Sequence, residues 1–192
     1  MAVLIAGLLL FFASHSVGLA APGFREREVA RMGMRPWKLA YSAVSLIALI
    51  LIIWGYGAAR QEPVVLWSAP AWTRHAAALL SVVGFALIAA AYVPGTKMKE
   101  ALGHPMTVGT GVWALGHLLA NGRLNAVLLF GAFLVWSLIV LATRRARDRA
   151  AGTRYPPGSL GKDAIAVVAG VAFALVFALF LHGPLIGVRP FG

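Results

Sequence analysis

Residues 124–143 read LNAVLLFGAFLVWSLIVLAT, and residues 144–154 read RRARDRAAGTR. Twenty residues without one charge, wound as a helix at about 1.5 Å per residue, cross the roughly 30 Å of hydrocarbon in a bilayer. The five arginines that follow form the kind of basic flank that stays on the cytoplasmic side. Five other stretches have the same character: residues 2–21, 39–58, 73–93, 104–120 and 163–182. Lipid cannot satisfy the backbone of an open strand, so all six read as helices. Breakers separate them at Pro22-Gly23, Pro63, Pro70, Pro94-Gly95, Asn121-Gly122 and Pro156-Pro157-Gly158.

The expected fold is therefore all-α, a polytopic bundle of six transmembrane helices forming a single domain over residues 1–192. Thirteen basic residues fall in the first, third and fifth connections, from Arg25 to Lys38, at Lys97 and Lys99, and from Arg144 to Lys162. Only Arg60, Arg74, Arg123 and Arg189 fall on the other side. The asymmetry places the three basic connections in the cytoplasm and both termini on the non-cytoplasmic side. Gly18-Leu19-Ala20 resembles a signal cleavage site, but no basic segment precedes the first stretch, which reads as an uncleaved span. Residues 25–38 read as a short helix on the headgroups, and residues 144–154 as a solvated loop in contact with lipid. Trp37, Trp67 and Trp72 stand where an interfacial aromatic belt is expected.

Composition agrees. Of 192 residues, 60% are hydrophobic and 12% charged, half the roughly 25% that covers a soluble domain. A net charge of +11 would suggest nucleic acid in a soluble protein. In a membrane protein it points to anionic lipid, and no nucleic-acid partner is expected. With no cysteine, disulfides, thiolate ligands and thiol nucleophiles are excluded. No serine triad, phosphate-cradling loop, carboxylate pair or inverted repeat is visible.

What remains is imidazole. His15, His75, His104, His117 and His182 lie in or at the ends of the apolar stretches, whereas the six carboxylates fall at or beyond those ends. An ionisable group inside a bilayer is costly and so marks a candidate site; the ordinary alternative is a neutral imidazole bonded to a neighbouring helix. His75, beside Arg74, reads as an interfacial helix-start residue. His15 has Leu8, Phe11, Phe12, Gly18 and Leu19 at helical spacing, and needs a polar partner among them. Gly7 and Gly18 would let a backbone or a flat cofactor come close. His104, before Pro105, suits a helix cap or a ligand equally. His117, at about 100° per residue, falls on the opposite face from His104, so the two cannot share a ligand. Trp113 stands one turn below it, and Gly109, Gly111 and Gly116 leave room for a planar cofactor or for helix packing. His182 closes the last stretch at the same depth as His117, with His15 lower in the bilayer.

The segment His104-Pro105-Met106-Thr107-Val108-Gly109, then Trp113-Ala114-Leu115-Gly116-His117-Leu118-Leu119-Ala120-Asn121-Gly122, resembles the signature of the NnrU family. His15-Ser16 and His182-Gly183-Pro184-Leu185-Ile186-Gly187-Val188 resemble it too, so the likeness covers nearly the whole chain. The resemblance implies a bacterial inner-membrane protein linked to denitrification and nitric oxide metabolism. It also implies kinship with the plastid zeta-carotene isomerase, whose haem b is held by histidines. Carried over by motif, the iron ligands fall on His15 and His117; His182, at the depth of His117, is the substitute ligand or proton donor. Trp113 would flank the haem, and Arg123, with Arg74 or Arg189, would meet its propionates. Implied partners are membrane lipids, a lipid-soluble substrate such as a polyene, or proteins of a respiratory complex.

Two other readings stay open. One is a non-catalytic accessory or assembly factor for a respiratory complex. The other follows from a more distant similarity of His-Pro-x-x-x-Gly and a later Trp to isoprenylcysteine carboxyl methyltransferases, which use S-adenosylmethionine. Those enzymes carry an arginine before the histidine and a glutamate-rich stretch after the next span. Here Gly103 precedes His104 and residues 144–155 hold no glutamate, which argues against methyl transfer.

Overall fold

The computed structural model describes residues 1–190. They are helical, with two isolated β-bridges and no strand among them, and the chain divides into two compact units after Pro63.

The first unit is α1 (Ala2–Ala20), α2 (Pro22–Met32) and α3 (Met34–Ala59). Pro22 opens α2, where a missing N–H does no harm. Gly33 ends it at φ 89°, a conformation that favours glycine. α1 and α3 run antiparallel, because Gly7 abuts the backbone of Ile52 while Gly55 abuts that of Leu4. Any side chain at either glycine would push the helices apart, so small residues here set the crossing. Leu4, Leu8, Ala48, Ile52 and Tyr56 fill the seam. The short helix expected over residues 25–38 is found only in part: α2 ends at Met32 and buries no residue, while Arg35 and Lys38 belong to the first turns of α3, because Gly33 breaks the chain between them.

The second unit comprises α4 (Thr73–Tyr92), α5 (Lys97–Leu102), α6 (Pro105–Ala120), α7 (Leu124–Ala150) and α8 (Leu160–Val176). A π-helical turn (Phe177–Leu181) and α9 (His182–Ile186) follow. α4 is the central helix, packed against α6 on one side and α8 on another, and α7 covers α6. Glycines again set the contacts. A Cβ on Gly109 would run into the Gly84 carbonyl, one on Gly116 into Leu80 and Ala77, and one on Gly170 into the backbone of Ala86. The glycines at 109 and 116 are thus taken up by helix packing, and the sequence alone left that choice open. At one end of this unit, residues 64–66 pair with the α6–α7 turn: Leu66 N–H donates to the Gly122 carbonyl at 2.8 Å and Leu124 N–H to that of Val64 at 2.9 Å. Gly122 is needed there, since a Cβ would collide with the Trp67 carbonyl.

The outward faces are apolar. Leu9, Leu39, Trp54, Leu138, Ile139, Val168 and Phe180 are all more than half exposed, a surface that only lipid or another apolar partner covers. Among the described residues, five helical segments are long and apolar enough to cross a membrane: Ala2–Ala20, Met34–Ala59, Thr73–Tyr92, Leu124–Ala150 and Leu160–Ile186. α6, at 16 residues, extends only about 24 Å and falls short of a full span by length. Two further departures from expectation have plain causes. Residues 144–150 continue α7 as helix because nothing in RRARDRA breaks one, and arginine and alanine are good helix formers. The last apolar stretch is not one regular helix but contains a π-helical turn directly before His182, a feature found often at functional sites.

Candidate cofactor site and the placement of the histidines

In the first unit His15 lies two-thirds of the way along α1. Its Nδ1 is 2.8 Å from the Phe11 carbonyl, and Ser14 Oγ donates to the same oxygen at 2.8 Å. Since a carbonyl only accepts, Nδ1 carries the proton and Nε2 holds the lone pair. The ring stacks on Phe11 with centroids 3.8 Å apart, and Tyr41 of α3 meets it at 5.3 Å. Gly18 has nothing within 4 Å of where a Cβ would lie, so no neighbouring backbone packs against it.

In the second unit His117 lies one turn from the end of α6. Its Nδ1 is 3.0 Å from the Trp113 carbonyl, which again sets the proton on Nδ1 and the basic pair on Nε2. The ring stacks on Phe130 of α7 at 4.5 Å, while Trp113 is tilted against it at 5.0 Å. Trp113 in turn meets Phe130 and Phe133 edge to face. Asn121 Nδ2 donates to the His117 carbonyl at 2.9 Å and so ties off the helix end below the imidazole. His182 follows the same rule as the other two, with Nδ1 2.7 Å from the Val188 carbonyl and Phe177 edge-on to its ring.

Three histidines thus share one device: a main-chain carbonyl holds Nδ1–H and makes Nε2 the donor atom. Metal-bound histidines are commonly held in this way, because the second-shell bond fixes ring orientation and raises ligand basicity. Among the described residues no three His, Asp or Glu side chains converge on a metal position; haem iron needs only one or two protein ligands. Arg123 caps α7 at its N-terminus with its backbone bridged to Val65 and its side chain exposed. It stands at the end of the unit where α6 ends just after His117.

The remaining two differ. His75 is exposed at the start of α4. His104 is the N-cap residue of α6, but its side chain caps nothing. Instead Nε2 lies 2.8 Å from Asp148 Oδ2, Tyr155 Oη donates to the same oxygen at 2.7 Å, and its ring is edge-on to that of His104. Gly103, at φ 71°, lets the Tyr155 ring lie against the backbone. His104 is thus a clasp at the far end of the second unit from His117, not a partner to it.

Sequence reasoning missed four residues: Tyr41, Phe130, Asp148 and Tyr155. Phe130 had a readable signal, because the Asn121-Gly122 turn folds α7 back on α6 and brings residues on either side of it together. Asp148 had one too, as the single acid in an arginine run.

The chain matches the family model described as NnrU protein over residues 3–190. No curated protein and no solved structure matches it. This membrane protein belongs to the NnrU family.

Proposed function

We propose that this protein holds haem b through membrane-embedded histidine, with His117 as a ligand, and that it serves nitric oxide or denitrification metabolism in the bacterial inner membrane. Redox-dependent isomerisation of a lipid-soluble polyene is the alternative use of the same site. The observation that carries this reading is the carbonyl-held Nδ1 of His117, which leaves Nε2 as the donor atom beside the flat faces of Trp113 and Phe130. The same tether at His15 and His182 supplies two further imidazoles of matching chemistry. The donor set fits haem: neutral imidazoles, aromatic walls and, at the same end of the second unit as His117, the Arg123 cation for a propionate. His182 serves as substitute ligand or proton donor.

Haem b, when bound, supplies a redox-active iron that takes small ligands. The chain's own residues orient the imidazoles, keep water from the ring faces and position a cation. In this reading α6 is the sixth span, its short length made up by the His104-Pro105 entry and the Asn121-Gly122 exit. The single domain has both termini outside and the arginine end of α7 in the cytoplasm.

The test is the visible spectrum of detergent-purified protein, oxidised and then dithionite-reduced. A Soret band with sharp α and β bands on reduction, lost in His117→Ala, is the expected result. No haem band after expression with haem supplied would overturn the proposal.

A further inference from the structure

We infer that the end of the second unit opposite His117 is a docking shelf for anionic phospholipid headgroups. Eight cations gather at this end, Lys97, Lys99, Arg144, Arg145, Arg147, Arg149, Arg154 and Lys162, against three carboxylates, Glu100, Asp148 and Asp163. All three carboxylates are engaged in holding the shelf together. Glu100 accepts from Gly158 N–H at 2.7 Å, Asp163 from Met98 N–H at 3.2 Å, and Asp148 from His104 and Tyr155. With eight cations against three carboxylates, this end carries a net positive charge.

The shelf is rigid. Thr96 and Ser159 form a bridge, Ser159 N–H donates to the Gly95 carbonyl at 2.9 Å, and Gly158 packs directly on the backbone of Thr96 and Lys97. This staple sets Lys97, on the first turn of α5, beside Lys162, on the first turn of α8, and both are exposed. Arg144, Arg145 and Arg149 are exposed on the helical extension of α7. That helix has 27 residues, about 40 Å, so roughly its last two turns stand beyond a 30 Å hydrocarbon layer.

Depth selects the partner. Tyr92, which ends α4, and Leu160, which begins α8, are 74% and 71% exposed right beside the cations. A ligand that covers both surfaces has a negative head and an apolar tail, as anionic phospholipid does. Nucleic acid or free phosphate would satisfy the charge and leave Tyr92 and Leu160 bare.

The full chain, reconstituted in phosphatidylcholine with and without phosphatidylglycerol, tests this by thermal unfolding and by native mass spectrometry of retained lipid. Wild type is expected to gain several degrees with phosphatidylglycerol and to keep one or more copies of it. Lys97→Gln/Arg149→Gln/Lys162→Gln should lose most of both effects, while Arg60→Gln in the first unit retains them. Should the triple variant fold poorly, rising salt on wild type is the second measurement, and it should strip the lipid. Equal stabilisation by phosphatidylcholine alone, retention insensitive to both charge removal and salt, or full replacement by inorganic phosphate would each overturn the assignment.

Discussion

Asp148 Oδ2 lies 2.8 Å from His104 Nε2 and 2.7 Å from Tyr155 Oη, so one carboxylate oxygen joins the entry of α6, the extension of α7 and the α7–α8 connection. Truncating it in Asp148→Ala leaves two part-buried donors without their acceptor. The loss weakens the clasp, though less than at a fully buried site, because solvent screens the partly exposed carboxylate. The connection should then open more often. Hydrogen exchange at Gly158 and Ser159 is expected to speed up about fivefold, with α4 unaffected; unchanged exchange would show that the glycine contacts alone hold the connection.

The same cluster has a pH signature. Burial first, and the Asp148 carboxylate second, hold the Tyr155 phenol above its ordinary value near 10. A raised phenol favours the folded state while neutral, so its contribution is whole below about pH 10 and disappears as pH rises through the raised value. Asp148 stands on the arginine-rich extension past the apolar part of α7. The Tyr155 hydroxyl, and after it His104 and Arg144, hold its carboxyl below the ordinary range, against an opposing desolvation. Its contribution is whole above about pH 3.9 and is lost as pH falls through the lowered value. Phenolate absorbance should show one of the four tyrosines ionising earlier in Asp148→Asn than in wild type. Superimposable curves would sink the claim that the carboxylate restrains Tyr155.

Gly84 and Gly109 meet backbone to backbone where α4 crosses α6, whereas Gly131 on α7 has nothing within 4 Å of a Cβ position. Gly109→Val should therefore cost about 3 kcal/mol or prevent folding, since a helix backbone cannot yield as a side chain does. Gly131→Ala should stabilise by about 0.5–1 kcal/mol through helix propensity alone. Thermal unfolding in detergent, followed by tryptophan fluorescence, ranks the two. The opposite order would mean that α4 and α6 do not pack in this way.

Much of this architecture is legible in the residues. The apolar stretches and their breakers locate the long helices, although α3 begins five residues before its apolar stretch and α7 runs seven residues beyond its own. Proline at 22 and 105 marks two helix starts. What escaped is what depends on pairing between distant segments. The charge density of residues 144–150 suggests an exposed loop, yet local propensity keeps them helical. His104 suits cap and ligand equally in the sequence because its acceptor, Asp148, lies 44 positions away across a fold that periodicity does not specify. Gly109 and Gly116 were compatible with either a cofactor or a neighbouring helix, and only the position of α4 decides between them.

His117 offers the sharpest test of the haem reading, because its surroundings separate ligation from packing. Phe130 covers one face of the ring and the Trp113 carbonyl holds Nδ1, so removing the side chain leaves a gap shaped for free imidazole. His117→Gly is expected to lose most of its haem when purified, and imidazole added during purification should restore it with a low-spin spectrum. Phe130→Leu keeps the ligand but loosens the ring, and should lower haem affinity by about tenfold, the usual size of an outer-shell effect. His75→Ala, at an exposed helix start, should change nothing. If His117→Gly loses haem and imidazole fails to restore it, His117 acts through packing and not as a ligand. If His117→Gly and Phe130→Leu both keep full haem, the ligand lies elsewhere, and His182, with the same tether, is the next to replace.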